Sequence, residues 1–475
     1  DKFAMLAWKE EGHRFFNSLE KDKLPPDLII QDELHLLSGP LGSITGLFES
    51  VIDMLCTKKD ENGNIIKKAK IISSTATTRN TNKQIKALYG QDKTVNIFPP
   101  SGLSYKDSFF ARISEQKSKR RYIGFMPTGK TSIDTQLQIL ANLFVARVEV
   151  YKALINKDDK DFETFDKYWT LVSYYNSLKD VGKIHNKVGD EISNFTSTLQ
   201  IRLFGEQPNL KFNYLGLYNR DVELTSRIES SKIKQTLKEL EEKTFTKETI
   251  KRNENGVTYV SDVIDFVLAT NMISVGIDID RFNVMLINGQ PRNIAEYIQA
   301  SSRVGRKYKG LVVDLLDANR ARDKSHFEHF IPFHQAFYKS VEPISITPFT
   351  ENTISKMLAS LIVTFVRHKI PGMAPNDAAQ YFQPNFLNEL KDEVEKRFNS
   401  NPRLYKYFET ELKYLSDDWE NKVKNFGLKY YYKKGQVCLL KKPDEKELSS
   451  NKHWTIMQSM REIDTNSFIR IDLPK

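Results

Sequence analysis

Three short stretches of this 475-residue sequence carry groups suited to phosphate chemistry. In DLIIQDELH, residues 27–35, an apolar run delivers Asp32 and Glu33 side by side at its C-terminal end. One carboxylate at such a place can reach the Mg2+ of a nucleotide and the other can orient and deprotonate an attacking water, the division of labour of a Walker B site. Alone, the same four letters DELH fit an exposed turn equally well. In QASSRVGR, residues 299–306, Gln299, Arg303 and Arg306 are spaced to lie on the turn and start of a helix. Guanidinium groups there can neutralise charge that builds on a γ-phosphate, although a basic surface helix is the plainer reading. The third stretch, GFMPTGKT at 124–131, satisfies GxxxxGK[ST] letter for letter.

The elements that must hold these groups alternate between strand and helix. LAWKEEGHRFFNSLE predicts a helix, DLIIQDE a buried strand, and LGSITGLFESVIDML a helix with apolar Leu41, Ile44, Leu47, Phe48, Val51, Ile52 and Leu55 on one side. KAKIISSTAT predicts a strand, NKQIKALYG a helix ending at Gly90, and KTVNIFPP a third strand stopped by prolines. Six further strands are expected in RYIGFMP, WTLVSYYN, LKFNYLGLYN, FVLATNMI, VMLING and GLVVDLLDA. Beyond about residue 320 the segments HFEHFIPFHQAFYKS, TISKMLASLIVTFVRHK and AAQYFQPNFLNELKDEVEKRF read as helices, and a mixed helical tail ends in QVCLLK and SFIRIDL. The charge-rich 228–256 reads as a solvated helix and turn. Strands separated by helices of this length imply parallel α/β layers.

Composition narrows the class. With 40% hydrophobic and 28% charged residues the chain is globular, and its length calls for two or three domains. Lys and Arg number 71 against 61 Asp and Glu, a net +10 that favours a polyanionic partner. Cys56 and Cys438 have no cysteine or histidine cluster around them, which suggests neither a disulfide framework nor a structural zinc site and fits a reducing cytoplasm. Met357 to Val366 is half a membrane span and reads as a buried helix, so no membrane is expected. His326, His329 and His334 are spaced three and five apart, which does not bring all three to one helix face, so packing is favoured over metal binding.

In order along the chain, QDELH, STAT (Ser74 to Thr77), LATNMISVGIDIDRFNVMLINGQP and IAEYIQASSRVGR resemble motifs II, III, V and VI of superfamily 2 DExH helicases. LVSYYNSLKDVGK matches the position of motif IV. The resemblance implies two RecA-like lobes that clamp ATP between them. It assigns Thr270, Gly276 and Asp278 to the nucleotide, and Thr75, Thr77, Ser173, Asn176 and Asn271 to a nucleic-acid backbone. His35 would link the nucleotide site to motif VI. The usual motif VI is QRxGRxGR, so Ala300 and Ser302 depart from it and the two later arginines carry more weight. Helicase phosphate loops read AxTGxGKT and precede motif II. Here Pro127, which has no N–H to donate, stands where that loop has its middle glycine, and the stretch follows motifs II and III. GFMPTGKT is therefore expected to be a strand-to-helix turn with Lys130 near nucleic acid.

QDELHLLSGPLGSITGLFE, VELTSRI, the motif V to VI stretch, SHFEHFIPFHQAFYKSVEPISITPF and the late SMR further resemble the DrmA helicases of DISARM, a bacterial antiphage defence system. That resemblance implies a cytoplasmic ATP-dependent DNA translocase acting on single-stranded DNA, or on duplex with a single-stranded end, beside a DrmB-type partner. It also sets Arg227 near the DNA path. The expected architecture is an incomplete first RecA-like lobe with a crossing segment over 1–118, a second lobe over 119–320 and a mainly helical accessory region over 321–475. With no phosphate loop before motif II, the expectation is a C-terminal portion of a longer protein that binds ATP poorly by itself. Asp32 would carry Mg2+, Glu33 the water, and Arg303 and Arg306 the γ-phosphate. A non-hydrolysing nucleic-acid-binding scaffold of the same shape is the alternative. A nuclease built on Asp32 and Glu33 lacks the further carboxylates and lysine such a site needs.

Overall fold

A computed structural model describes residues 26–60, 62–75, 79–100, 102–104, 107–112, 120–154, 158–204, 221–252, 258–274, 279–343, 346–398, 401–424, 427–431, 438–441 and 453–456. By its contacts the chain forms two units, residues 1–100 with 343–475, and residues 101–342. The expected helix at 6–20, the strand at 210–219 and the SFIRIDL run lie outside the described residues.

In the first unit, β1 (Leu28–Gln31) and β2 (Lys70–Ser73) pair in parallel, Leu28 opposite Lys70 and Gln31 opposite Ser73. Between them run α1 (Gly39–Leu55) and a small antiparallel hairpin, and α2 (Thr81–Tyr89) follows β2. Two glycines of α1 are fixed by packing. A Cβ on Gly42 would lie 2.8 Å from the Leu37 carbonyl oxygen, and one on Gly46 would lie 2.9 Å from Pro348. SGPLG and ITPF, distant in sequence, thus meet, and Ile346 shares a small core with Leu34, Leu37, Leu88 and Tyr89. KTVNIFPP is not a strand, contrary to expectation. Ile97 and Phe98 are exposed, and no described strand pairs with them.

The second unit is a RecA-like lobe built on one six-stranded sheet. Its strands are β3 (Arg120–Phe125), β4 (Leu171–Tyr175), β5 (Asp221–Leu224), β6 (Phe266–Ala269), β7 (Val284–Asn288) and β8 (Gly310–Leu315). The order is β3-β8-β7-β4-β6-β5, parallel throughout. The central strands are continuously apolar because both faces are covered. α3 (Ser132–Leu154) and α5 (Leu178–Phe204) bury Leu137, Leu140, Phe144, Val181 and Ile184 against Leu171, Tyr175 and Leu286. The opposite face packs Leu240 of α6 (Ser230–Glu242) and Tyr297 and Ala300 of α7 (Ile294–Ser301) on Val172, Val267 and Met285. α4 (Asp159–Trp169) precedes β4. β5 and a hairpin of Ile250–Arg252 with Thr258–Val260 were not expected from the sequence. The aromatic segment after residue 320 is broken into α8 (Ala321–Glu328), α9 (Phe330–Gln335) and a 3-10 turn. It packs with this sheet, Phe330 against Gly124 of β3 and Phe333 against the core under α7.

The C-terminal region is mainly helical. α10 (Glu351–Lys369) is capped by Thr350, whose hydroxyl accepts from Thr353 N at 3.2 Å, and it buries the Met357 to Val366 run. α11 (Asn388–Glu395), α12 (Pro402–Val423) and a small sheet of β9 (Lys429–Tyr431), β10 (Cys438–Lys441) and β11 (Trp454–Thr455) join α1 in one core. Phe382 stacks on Trp419 at 4.0 Å. Among the described residues no helix is long and apolar enough to cross a membrane.

Candidate functional site

In the first unit, strand pairing builds an acid loop. Because β1 and β2 run parallel in register, the residues just past each strand, Asp32 and Ser74, become neighbours. The Ser74 hydroxyl donates to Asp32 Oδ1, and the Glu33 N–H donates to the same oxygen at 2.9 Å. These two hydrogen bonds hold the Asp32 carboxyl below the usual carboxylate range. Among the described residues Oδ2 accepts none. Glu33 turns the chain with φ +54, and Leu34 N returns to Ser74 O at 2.9 Å. His35 is buried, its Nδ1 lying 3.3 Å from Glu33 Oε2 and 3.4 Å from Thr75 Oγ1. The hydroxyls of Ser74 and Thr75 thus engage the acid loop. Thr75, expected at nucleic acid, faces His35 instead, and Thr77 lies outside the described residues.

In the second unit Asn176, Thr270 and Asn271 sit just beyond the C-terminal ends of their strands, where open parallel sheets bind ligands, whereas Ser173 lies within β4 and Arg303 and Arg306 stand before the N-terminal end of β8. Thr270 follows β6 and is buried, its N–H on Leu224 O at 3.3 Å, and Asn271 beside it is exposed. Gly276 and Asp278 lie outside the described residues. Gln299 closes α7 and is 7% exposed, its Nε2 without a hydrogen-bond partner among the described residues.

Arg303 and Arg306 stand on the turn after α7, so the expected order is reversed: the helix leads into the arginines. Gly305, at φ +71, makes this turn possible, and a Cβ there would lie 2.8 Å from Arg120 Cγ and 3.1 Å from Gly310 N. Gly305 N donates to Asn283 Oδ1 at 3.2 Å. Both arginine side chains are half-buried.

GFMPTGKT is a strand-to-helix joint. Gly124 lies inside β3 with the Phe330 ring against its α-carbon. Lys130 Nζ donates to Gln138 Oε1 at 3.0 Å, and the Thr131 hydroxyl accepts from Asp134 N at 3.1 Å, capping α3.

Two expected nucleic-acid contacts are corrected. Ser173 is fully buried, its hydroxyl 2.9 Å from Tyr175 OH and 2.9 Å from Asn288 Nδ2, because its strand is covered on both faces. Asn176 is exposed, but its side-chain amide spends its hydrogens on Asn288 O at 3.1 Å and Gly289 O at 3.0 Å, leaving no side-chain donor for a phosphate. Arg227 is exposed but forms a bidentate pair with Glu223, a partner visible in sequence as a carboxylate four residues earlier. His334 binds Tyr297 OH at 2.6 Å and Phe330 O at 2.7 Å, and His329 meets Ser325 O at 2.9 Å. Sequence reasoning missed Asn283, whose clamp on Gly305 depends on a side chain that only the fold brings near.

The helicase conserved C-terminal domain family matches residues 221–308. The DISARM protein DrmA of Bacillus paralicheniformis is 34% identical over 465 residues, 91% of this chain and 39% of that protein. The chain therefore spans about two fifths of the length of that relative. Among solved structures, Mycobacterium smegmatis helicase Lhr bound to ssDNA and AMP-PNP has a TM-score of 0.49 at 14% identity, covering 87% of this chain and 40% of that one. The DUF1998 helicase MrfA bound to DNA and AMPPNP has a TM-score of 0.45 at 15% identity, with 77% and 40% covered.

Proposed function

The chain belongs to the helicase family of the DISARM protein DrmA, and on that premise we propose that the full-length protein is a DExH-type ATP hydrolase that translocates on DNA in antiphage defence. The observation that carries this reading is the acid loop. Asp32, held toward its ionised form by two hydrogen bonds to one oxygen, is exposed at a strand end, and its other oxygen accepts no hydrogen bond among the described residues. One ionised carboxylate with a free oxygen fits the single protein ligand that a nucleotide-bound Mg2+ takes in such sites. Mg2+ bound there with ATP would neutralise the β- and γ-phosphate oxygens. Glu33 is the base that orients the attacking water, and His35 restrains the Glu33 carboxylate through its Nδ1. Arg303 and Arg306 supply positive charge to the γ-phosphate, and Gln299 supports them from the last turn of α7.

Lys130, Asn271 and Arg227 are the exposed polar groups assigned to the DNA backbone, with Thr270 at the nucleotide. DNA, to which the MrfA helicase is bound and which the Lhr helicase holds as ssDNA, is the proposed track, and a DrmB-type protein the proposed partner. The cytoplasm is the proposed compartment.

The test is DNA-stimulated ATP hydrolysis by the full-length protein with and without Glu33→Gln. A fall of about a hundredfold or more is expected, as for loss of a catalytic base. Equal rates would favour the non-hydrolysing scaffold.

A further inference from the structure

Beneath motif VI lies a chain of three polar side chains, Asp314 and Tyr297 buried and His334 half-buried, that the reading above does not use. Asp314 of β8 is 2% exposed, with Oδ2 at 2.8 Å from the hydroxyl of Tyr297 on α7. The same hydroxyl is 2.6 Å from His334 Nε2, and His334 Nδ1 is 2.7 Å from Phe330 O. Asp314 Oδ1 is buried and has no hydrogen-bond partner among the described residues.

Counting hydrogens decides the protonation state. Phe330 O can only accept, so Nδ1 carries a hydrogen. The two contacts of the Tyr297 oxygen need one hydrogen each, and the phenol has one. The second must come from Asp314 as a neutral acid, or from His334 as a cation beside a carboxylate. The ionic form would set His334 Nε2 3.7 Å from Asp314 Oδ2, but it would bury a carboxylate oxygen with no donor among the described residues and place an imidazolium, half-buried, among Phe330, Phe333 and Phe337. The neutral form leaves Oδ1 as an acid carbonyl, which costs far less. In the neutral form the hydrogens run one way, Asp314 Oδ2–H to Tyr297 O and Tyr297 O–H to His334 Nε2, whereas in the ionic form Tyr297 donates to Asp314 Oδ2. Burial acts in the same direction, pushing Asp314 up to about 7 and His334 below its ordinary value.

The other titratable groups facing the triad are Tyr122 of β3, its ring 4.6 Å from His334, and His326 of α8, which sits among Arg322, Asp323 and Glu342. Tyr122 OH is also 3.2 Å from Ser301 Oγ at the end of α7.

We propose that Asp314, Tyr297 and His334 are positioning residues that share one proton and, while they hold it, latch α7 in the register that presents Gln299, Arg303 and Arg306. Loss of the proton leaves one phenol hydrogen for two acceptors, and one contact then sets lone pair against lone pair. Tyr297 is two residues before Gln299, so the loosening falls on the segment that delivers the arginines. Asp314's raised pKa makes its contribution complete below its unfolded value and lost as pH rises to about 7. His334, with a lowered pKa, opposes this only on the acid side, where it would otherwise charge.

The inference rests on the proposed role of motif VI, and its test separates the two. In the full-length protein, DNA-stimulated kcat and melting temperature are measured at about pH 6 and about pH 8.5 for wild type, Asp314→Asn and Tyr297→Phe. Wild type is expected to lose about threefold or more in kcat, and about 5 °C in melting temperature, at the higher pH. Asp314→Asn, whose amide donates to Tyr297 without titrating, should stay within about threefold of wild type near pH 6 and lose the alkaline fall. Tyr297→Phe should be slower at both values. The latch is overturned if Asp314→Asn keeps the wild-type pH profile, or loses rate and melting temperature at both values as Tyr297→Phe does. Absence of ATP hydrolysis in wild type would defeat the motor reading alone, and the melting comparison would still decide the latch.

Discussion

The ring of Phe330 lies against the α-carbon of Gly124, so that a Cβ built there would come within 2.8 Å of two ring carbons. The first glycine of GFMPTGKT therefore answers a packing demand inside a strand. Gly124→Ala should lower stability by about 1–3 kcal/mol, the usual cost of overpacking, read from the urea midpoint. Lys130→Ala should leave the Kd for an ATP analogue within about twofold, because its ammonium is tied to Gln138 on the exposed start of α3. A loss of tenfold or more would show that this stretch grips phosphate after all.

Removing the Ser74 hydroxyl takes away the largest influence holding Asp32 in its ionised form. Asp32 has a depressed pKa, so its ionised state persists to lower pH than a free carboxylate's. In Ser74→Ala the acid limb of the pH profile of kcat/KM should therefore move to higher pH, with the Mg2+ requirement rising in parallel. An unmoved acid limb would mean that Asp32 carries no step of the reaction.

Motif VI separates charge from backbone geometry. Arg303→Ala should reduce ATP hydrolysis by about a thousandfold with DNA affinity retained, the size expected for an arginine finger. Gly305→Ala keeps both arginines yet puts a side chain at φ +71, 3.1 Å from Gly310 N. It should cut the rate and lower the melting temperature together, at a cost of about 1–2 kcal/mol. A Gly305→Ala protein with wild-type rate would show that the turn does not place the arginines.

Glu49 of α1 is 7% exposed, and burial pushes it up to about 7 against the pull of Arg397. A carboxyl raised in the fold makes its contribution to stability below its unfolded pKa of about 4.5 and loses it as pH rises to about 7. Glu49→Gln should therefore flatten the pH dependence of melting over that window and gain up to about 3 kcal/mol at alkaline pH. Calorimetry from pH 4 to pH 8.5 checks this, and an unchanged slope would place the titration elsewhere.

The sequence by itself determined the alternation of elements, and it set the acid pair at a strand end and the arginines beside a helix. Those features are local: an apolar run makes LVSYY a buried strand wherever it is placed, and a carboxylate pair after DLIIQ has nowhere to be but its end. Even the phosphate-loop look-alike was legible, since Pro127 removes a donor without reference to any neighbour. Only the tertiary structure decided which side chains those groups meet. Ser173 looked like a surface contact because nothing local says that both faces of its strand are covered. The helix lies before Arg303 because Gly305 must approach Gly310 and Asn283. KTVNIFPP stayed irregular because a strand needs a partner as well as a pattern. Hydrogen bonds at Asp32 and Asp314 form between strand neighbours or between a strand and α7, and their effects on charge follow from distances that composition and spacing do not contain.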